Sequence, residues 1–286
     1  MNKRNNNKES ARAKGFQLIR YDGNIQQAKV NLETTFTDGL VTIIMPTYNS
    51  AAYIGEAIAS VIRQSYTDWE LLVVDDGSTD NSPNIVMEYS KDDPRIHLFF
   101  NDHHTGMPSS PRNYALHHAH GRYIAFLDSD DVWLPEKLIE QIPLLDDPNV
   151  AVVYSDYEKI SSSGQRRGRV VKAPHTVNYR RLLYGNIIGN LTGIYDRKKV
   201  GTVAILDIHH EDYAMWLNIL KRGFIAKNTN TVTALYRVHK ASVSSKKFSI
   251  ISWQWNIYRN IEHLSLPYSC LCYANYALRA IWKKLI

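Results

Sequence analysis

Residues 40–49 read LVTIIMPTYN, residues 70–77 read ELLVVDDG and residues 123–131 read YIAFLDSDD. Each stretch is a short apolar run that ends abruptly in polar residues. Continuous apolar runs of this length, without alternation, are typical of strands buried on both faces of a parallel sheet. These stretches therefore predict buried strands at the centre of the fold.

Segments with a helical pattern separate the predicted strands. The expected strands are Leu40–Met45, Glu70–Val74, Ile96–Phe100 and Tyr123–Leu127, and the expected helices cover 51–64, 80–90 and 112–119. This alternation predicts an α/β fold with a parallel sheet and crossover helices. In such sheets ligands bind at the edge where the carboxyl ends of the strands meet. The polar residues that follow the strands, Pro46–Asn49, Asp75–Asp76 and Asp128–Asp131, should converge there.

The pattern becomes less regular towards both ends of the chain. Residues 1–39 are expected to form an N-terminal leader that is partly disordered. After residue 131 we expect a helix over 134–145, a strand over 150–154, a loop over 161–169 and a helix over 212–221. Residues 246–286 predict two amphipathic helices, separated near Pro267, for contact with a membrane or a subunit.

Composition limits the classes of protein to which the chain can belong. The 286 residues are 44% hydrophobic, which suits one large α/β domain or two closely packed halves. The net charge of +6 lies at the ends, because residues 1–20 and 246–286 each carry +5 and residues 21–245 carry −4. No motif that reads nucleic acid accompanies these ends, so nucleic-acid binding is not expected. The arrangement favours an anionic membrane surface, with solvated tails as the alternative.

The cysteines and the apolar segments bear on location. Cys270 and Cys272 show no zinc spacing, and two positions apart on a helix they point in different directions. The N-terminus lacks the apolar core of a signal peptide. No stretch approaches the roughly 18 apolar residues that a membrane span needs. We therefore expect a cytoplasmic protein, soluble or peripheral on the inner face of the plasma membrane.

Two acidic clusters stand at the predicted strand ends. The three carboxylates of Asp128–Asp131 would repel one another unless a cation or hydrogen-bond donors neutralise them. Carboxylate oxygens suit Mg²⁺ or Mn²⁺ bound together with substrate phosphates, although Asp and Ser also start helices. Asp75–Asp76 could accept hydrogen bonds from a base or a ribose, or could simply form the turn at Gly77. The sequence also lacks GxGxxG and GxxxxGK[ST], which argues against a dehydrogenase or a P-loop kinase.

Several motifs, in order, resemble one family of enzymes. They are VTIIMPTYNSAAYIGEAIASVIRQSYTDWELLVVDDGSTDNS at 41–82, PRNYAL at 111–116 and GRYIAFLDSDDVWLPEKL at 121–138. These runs resemble the GT-A glycosyltransferases of family 2. The resemblance is close over 40–160 and looser to about residue 240. It implies a Rossmann-like, mostly parallel central sheet flanked by helices.

The resemblance assigns expected roles to individual residues. Residues 40–160 would be the nucleotide-sugar-binding half and residues 161–245 the acceptor-binding half. The nucleotide-sugar site would include Pro46, Thr47, Tyr48, Asp75, Asp76, Arg112, Asp128, Ser129 and Asp130. Asp130 and Asp131 would be metal ligands, for Mn²⁺ or Mg²⁺.

A second motif supplies a candidate base. Glu211 and Asp212 occur in HHEDYAMWLNILKRG at 209–223, which resembles the acidic pair at the start of the family's acceptor-side helix. Transfer with inversion needs one base on the acceptor hydroxyl. Asp212 is the expected base and Glu211 the second candidate, although acids also favour a first helical turn. For His239, near Arg237, two interpretations stay open: a loop that closes over the diphosphate, which rests partly on the resemblance, or no role in the site.

These features together predict an inverting, metal-dependent glycosyltransferase. The donor would be a nucleotide-diphosphate sugar, with UDP as the expected nucleotide. The acceptor would be a hydroxyl of a glycan or of a polyprenyl-linked glycan in polysaccharide biosynthesis. The alternative is a non-catalytic subunit of a polysaccharide-assembly complex that only binds nucleotide sugar. A homo-oligomer is left open.

Overall fold

The computed structural model describes residues 36–101, 104, 106–239 and 247–285. In chain order the strands are β1 Thr37–Thr47, β2 Trp69–Asp75, β3 Ile96–Phe100, β4 Gly121–Phe126, β5 Val132–Trp133, β6 Val150–Ile160, β7 Arg166–Val171, β8 Thr176–Val177, β9 Ile194–Asp196 and β10 Ile225–Arg237. Of the leader expected over 1–39, residues 1–35 lie outside the described residues. Strand β1 begins inside that expected leader, at Thr37.

Nine α-helices occur among the described residues. They are α1 Ile54–Ile62, α2 Ser82–Asp92, α3 Ser109–His117, α4 Lys137–Gln141, α5 Tyr179–Leu182, α6 Arg197–Val200, α7 Glu211–Lys221, α8 Lys247–Asn256 and α9 Leu266–Leu285. Short 3₁₀ helices cover Ile142–Asp146 and Asn190–Thr192, and a π-helix covers Ile257–Ile261. The predicted helices are therefore present, with ends that differ by a few residues.

The strands form one mixed sheet in the order β3-β2-β1-β4-β9-β6-β10-β5, with β7 paired to β6 and β8 to β10. Strands β3, β2, β1 and β4 are parallel, as predicted. Beyond β4, β9 and β5 join the sheet antiparallel, and only β6 and β10 pair in parallel. The sheet is thus parallel in its first half and mostly antiparallel beyond β4. Antiparallel strands can be joined by short connections, whereas parallel strands need a long crossover such as a helix.

The core lies on both faces of β1. Val41, Ile43 and Met45 point into one apolar cluster, and Ile44 points into the other. This double burial explains why β1 is a continuous apolar run in the sequence. A helix layer covers each face, so the strand ends are held rigidly at one edge.

In the second half of the chain one expectation is wrong and one strand was not predicted. Residues 161–169 were expected to be a loop, but β7 starts at Arg166 and pairs antiparallel with β6. The thirteen-residue strand β10 was not predicted, and it lies between β6 and β5 in the same sheet. Strands β7 to β10 therefore belong to the same sheet as the strands of the first half.

The C-terminal helices pack on this sheet domain, and their separation near Pro267 is confirmed. Ile257 and Tyr258 are fully buried, and the Tyr258 hydroxyl donates to the carbonyl of Leu183 at 2.5 Å. Cys272 of α9 is also fully buried. One side of the C-terminal pair thus belongs to the core.

Candidate active site

The polar strand ends meet at the carboxyl edge of the parallel strands. The backbone N–H of Asp76 donates to the carbonyl of Thr47 at 2.8 Å, which joins the ends of β2 and β1. The Ser129 hydroxyl donates to Ser50 Oγ at 2.8 Å, which joins the segment after β4 to the segment after β1. The convergence that topology predicted is therefore present.

A cleft of about 410 Å³ opens at this edge. It is lined by Pro46, Thr47, Tyr48, Ser50, Asp76, His104, Gly106, Met107, Pro108, Pro111, Arg112, Asp128, Ser129, Asp130 and Glu211. Of the residues expected at the site, all line the cleft except Asp75, Asp131, Asp212 and His239. Asp75, Asp131 and Asp212 therefore do not form part of the cleft surface.

Asp76, Tyr48 and His104 build one part of the cleft. The imidazole of His104 stacks on Tyr48, with ring centres 4.1 Å apart and planes at 17°. Its Nδ1 lies 2.8 Å from Asp76 Oδ2, and Asn101 Nδ2 donates to Asp76 Oδ1 at 2.6 Å. A flat ring with a nitrogen at its edge therefore rests on an aromatic face beside a carboxylate. A nucleobase needs the same two contacts.

Asp75 serves the turn rather than the cleft. Its side chain is buried, and Oδ2 accepts the backbone N–H groups of Gly77 and Ser78 at 3.1 and 3.0 Å. Burial raises the pKa of this carboxyl, and the hydrogen bonds from Ser78 and Gly77 oppose the rise. The geometry gives Asp75 the structural role of presenting Asp76, in place of the expected contact with the nucleotide.

Arg112 of α3 connects the acidic segment that follows β4 to the start of α7. Its Nη2 donates to Asp128 Oδ1 and its Nη1 to Glu211 Oε1, both at 2.5 Å. The Arg112 side chain is only 5% exposed. Burial alone would lower the pKa of Arg112, but the two carboxylates outweigh burial and raise it above its ordinary value. The guanidinium is therefore a permanent cation between the two acids.

Asp130 meets His239, which follows β10. His239 Nε2 lies 2.9 Å from Asp130 Oδ2, and the side chains are 27% and 35% exposed. Burial and the nearby Asp128 raise the pKa of Asp130, and the contact with His239 lowers it. Asp130 lines the cleft, whereas His239 is linked to it through this contact with Asp130.

Asp131 is buried inside the protein. It is 1% exposed, and its Oδ1 accepts the backbone N–H of Arg237 at 2.8 Å. The buried Arg237 side chain donates from Nε to the carbonyl of Asp130 at 2.7 Å and from Nη2 to Glu56 at 2.5 Å. Asp131 and Arg237 thus fix the segment Asp128–Asp131, which we call the acidic loop. The expected metal-ligand role of Asp131 does not fit this geometry, because its carboxylate is committed to the backbone of β10.

The side chains of Asp130 and His239 could bind a metal ion only if substrate oxygens complete its coordination. Among the described residues, no group of three or more His, Cys, Asp or Glu side chains could hold a metal ion by itself. Asp130 and His239 instead bring one oxygen and one nitrogen together. Mg²⁺ is commonly held by one or two carboxylates plus substrate phosphates, and imidazole is a frequent ligand of transition metals. These residues therefore fit Mn²⁺ or Mg²⁺ bound with a diphosphate.

Asp212 stands in the first turn of α7, next to the cleft. Asn186 Nδ2 donates to Asp212 Oδ2 at 2.9 Å. Burial raises the pKa of Asp212, Arg112 and the Asn186 hydrogen bond lower it, and Asp128 raises it, with a net increase. A carboxylate with a raised pKa beside a cleft is suited to accept a proton from a hydroxyl.

His209 and His210 pack against α8. The His209 ring stacks on Trp253 with centres 3.9 Å apart, and His210 meets the same ring edge-on at 5.6 Å. Neither histidine lines the cleft. The pair therefore anchors the start of α7, and with it Glu211 and Asp212, to the C-terminal helices.

His104 and Asn186 are among the site residues that the sequence did not reveal. His104 lies in the polar stretch NDHHTGMPSS at 101–110, where no periodicity distinguishes it from its neighbour. Asn186 is a single amide in a connecting segment, 26 residues before its partner Asp212. Neither position carries a local motif, so only the fold identifies them.

Comparison with known proteins decides the family. The model for "Glycosyl transferase family 2" matches residues 42–201, which is more than half of the chain and includes the three strand ends. The chain belongs to glycosyltransferase family 2. It is therefore an enzyme of the glycosyltransferase class, and the family resemblance of its motifs is confirmed.

Several curated relatives of this glycosyltransferase match over most of their length. The putative teichuronic acid biosynthesis glycosyltransferase TuaG of Bacillus subtilis (strain 168) is 37% identical over 247 residues, 86% of this chain and 98% of TuaG. WfgD of Escherichia coli is named a UDP-Glc:alpha-D-GlcNAc-diphosphoundecaprenol beta-1,3-glucosyltransferase. It is 42% identical over 221 residues, 77% of this chain and 85% of WfgD.

Solved structures confirm the GT-A fold of the glycosyltransferase. S. aureus TarS 1-349 in complex with UDP aligns with a TM-score of 0.61 and 22% identity, over 83% of this chain and 70% of TarS 1-349. Mannosyltransferase PcManGT from Pyrobaculum calidifontis, in complex with GDP-Man and Mn²⁺, aligns with a TM-score of 0.62 and 21% identity, over 83% and 69%. At these identities the likeness establishes the fold.

The separate roles of Asp130 and Asp131 give a prediction on stability. Asp131→Ala leaves the buried N–H of Arg237 without its acceptor, so we expect the free energy of unfolding to fall by roughly 1–3 kcal/mol. Asp131→Asn keeps an acceptor oxygen and should lose less, and Asp130→Ala, at a partly exposed site, should lose little. Urea unfolding in the presence of a chelator measures all three. Equal losses for Asp130→Ala and Asp131→Ala would contradict the structural role of Asp131.

Proposed function

We propose that the chain is an inverting, metal-dependent glycosyltransferase that moves a sugar from a UDP-sugar to a hydroxyl of a lipid-linked glycan. The observation that carries this proposal is the bridge from Arg112 to Asp128 and Glu211. It brings the acidic strand end, which suits a nucleotide diphosphate, beside the acidic start of α7, which suits the acceptor. A module that only binds nucleotide needs no such second acidic pair.

The donor nucleotide would lie along the strand ends. Its base would stack on Tyr48 and donate an N–H to Asp76, in the place that the His104 ring takes in this structure. Asp128 would face the ribose and the diphosphate. The UDP in the name of WfgD and in the TarS complex supports uridine as the nucleoside. The GDP-Man bound to PcManGT means that the fold by itself does not fix the base.

Asp130 and His239 would hold Mn²⁺ or Mg²⁺ together with the diphosphate. Such an ion neutralises negative charge that builds on the departing nucleotide diphosphate. The chain's own part is to fix these ligands. Arg237 and Asp131 hold the acidic loop from behind, so that the Asp130 carboxylate keeps its position when the donor enters.

Asp212 would act as the general base. As the acceptor oxygen attacks the anomeric carbon, its proton passes to the Asp212 carboxylate and a new C–O bond forms. The bond from the anomeric carbon to the diphosphate breaks, and nucleotide diphosphate leaves with the electron pair. One displacement from the opposite face inverts the configuration. Glu211 lines the cleft, but Arg112 holds its carboxylate at 2.5 Å, so we assign the base to Asp212 in the same helical turn.

The metal ligands can be tested with binding as well as turnover. Asp130→Ala and His239→Ala should abolish the tightening of UDP binding by Mn²⁺ in calorimetry, and should lower transfer roughly 100-fold or more. Glu88→Ala, at an exposed acid on α2, is the control and should behave as wild type. Full activity of the wild-type enzyme in excess chelator would overturn the metal assignment.

The base is tested by Asp212→Asn, which keeps the shape of the side chain but cannot take a proton. We expect UDP binding within a few-fold of wild type and transfer to a GlcNAc-diphospho-lipid acceptor lowered roughly 10²–10⁴-fold. Glu211→Gln, measured beside it, reports the part played by the other acid. Normal transfer by Asp212→Asn would assign the base elsewhere.

We also propose that α9 holds the enzyme on an anionic membrane surface, near a lipid-linked acceptor. Leu271 and Leu278 lie seven positions apart, on one face of the helix, and are 52% and 64% exposed. The sequence of the same helix carries Arg279, Lys283 and Lys284. A helix with an exposed apolar face and basic residues suits the headgroup region. Among the described residues, no helix is long and apolar enough to cross a bilayer.

Sedimentation with phosphatidylglycerol vesicles tests the membrane proposal. The double variant Leu271→Ser, Leu278→Ser should lose most of the vesicle-bound fraction, and high salt should weaken binding of the wild type. Ile139→Ser, at a 48% exposed position on α4, controls for loss of exposed apolar surface elsewhere. Equal sedimentation of the double variant and wild type would refute the proposal, as would a wild type that never binds.

A further inference from the structure

The base candidate Asp212 has a side-chain partner outside the family motifs. Asn186 Nδ2 donates to Asp212 Oδ2 at 2.9 Å. Because an ionised carboxylate only accepts hydrogen bonds, the amide must present its nitrogen to Asp212. The amide oxygen of Asn186 is then buried with no hydrogen-bond partner among the described residues. Leaving a buried acceptor unpaired costs free energy, which calls for an explanation at this position.

The backbone before Asn186 is held against the C-terminal helix. Gly185 has φ of +132°, and a Cβ added there would lie 3.1 Å from the Tyr276 ring of α9. The N–H of Gly185 donates to the carbonyl of Leu182 at 3.0 Å. Because Gly185 has no side chain, this turn can pack directly on Tyr276. The turn therefore fixes the position of the next residue, Asn186.

Charged groups on three sides of Asp212 define its electrostatic setting. Arg112 of α3 lowers the pKa of Asp212, and Asp128 after β4 raises it. Glu211 precedes it on the same helix, and Asp212 raises the pKa of Glu211. Burial is the largest influence and also raises the pKa of Asp212. The Asn186 hydrogen bond acts against burial, because it stabilises the charged form.

We propose that Asn186 is a positioning residue for transfer, which fixes the rotation of the Asp212 carboxylate and keeps it ionised to receive the proton of the acceptor hydroxyl. This inference rests on the proposed role of Asp212 as the base. This role explains why the amide oxygen of Asn186 has no hydrogen-bond partner among the described residues. The amide is oriented by its bond to Asp212, and in that orientation its oxygen meets no donor. Through Gly185 and Tyr276, helix α9 holds this positioning residue in place.

The acid limb of the pH profile of kcat separates positioning from a merely structural role. The base must be ionised, so activity falls as the pH drops through the pKa of Asp212. Removing a hydrogen bond to the charged form raises that pKa, so Asn186→Ala should move the acid limb upward by roughly one pH unit. Asn186→Asp, which keeps the side-chain volume but adds a like charge, should move it further. UDP affinity should stay within a few-fold of wild type in both.

Asn190→Ala is the matched control, since Asn190 lies four residues along the same segment and its side-chain nitrogen is also buried, with no partner in the part of the chain that the structure describes. Its acid limb should stay at the wild-type position. If Asn186→Ala does not fold, Asn186→Asp gives the same readout. An unchanged acid limb in the Asn186 variants, with Asp212→Asn inactive, overturns this inference alone. Full transfer by Asp212→Asn instead overturns the proposed base, and this inference with it.

Discussion

The buried guanidinium of Arg112 is the contact on which the active site depends. It forms ion pairs with Asp128 and Glu211, which come from distant parts of the chain. The Arg112 side chain is only 5% exposed. Without a fixed cation between them, these acids and Asp212 would repel one another at close range. A lysine could not replace it, because only a planar guanidinium presents several donors in a fixed fork. One side chain therefore sets the distance between the segment after β4 and the start of α7.

The parallel half of the sheet could be predicted because a strand buried on both faces leaves a continuous apolar run. Ile96–Phe100 was predicted residue for residue. The same signal is absent from β10, whose buried polar residues break the run. Asn228 Nδ2 donates to Asp156 at 2.9 Å, and Thr233 Oγ1 donates to Ser155 at 2.6 Å. These partners belong to β6, so burial of the polar residues depends on a pairing that the local sequence does not reveal.

At the site, the residue types could be predicted but not the direction in which each side chain points. Asp128, Asp130 and Asp131 are equivalent in the sequence, yet the first two line the cleft and the third is buried behind it. Long-range hydrogen bonds make this difference. His104 and Asn186 were missed for the same reason, because their acidic partners lie 28 and 26 residues away along the chain.

In the proposed mechanism, inversion at the anomeric carbon follows from a single displacement in which Asp212 takes the proton of the acceptor hydroxyl. Proton NMR of the product made from an α-linked UDP-sugar, recorded during turnover, reports the anomeric configuration directly. We expect a β-linked product, formed together with one UDP for each sugar transferred. An α-linked product would contradict a single displacement with Asp212 as the base.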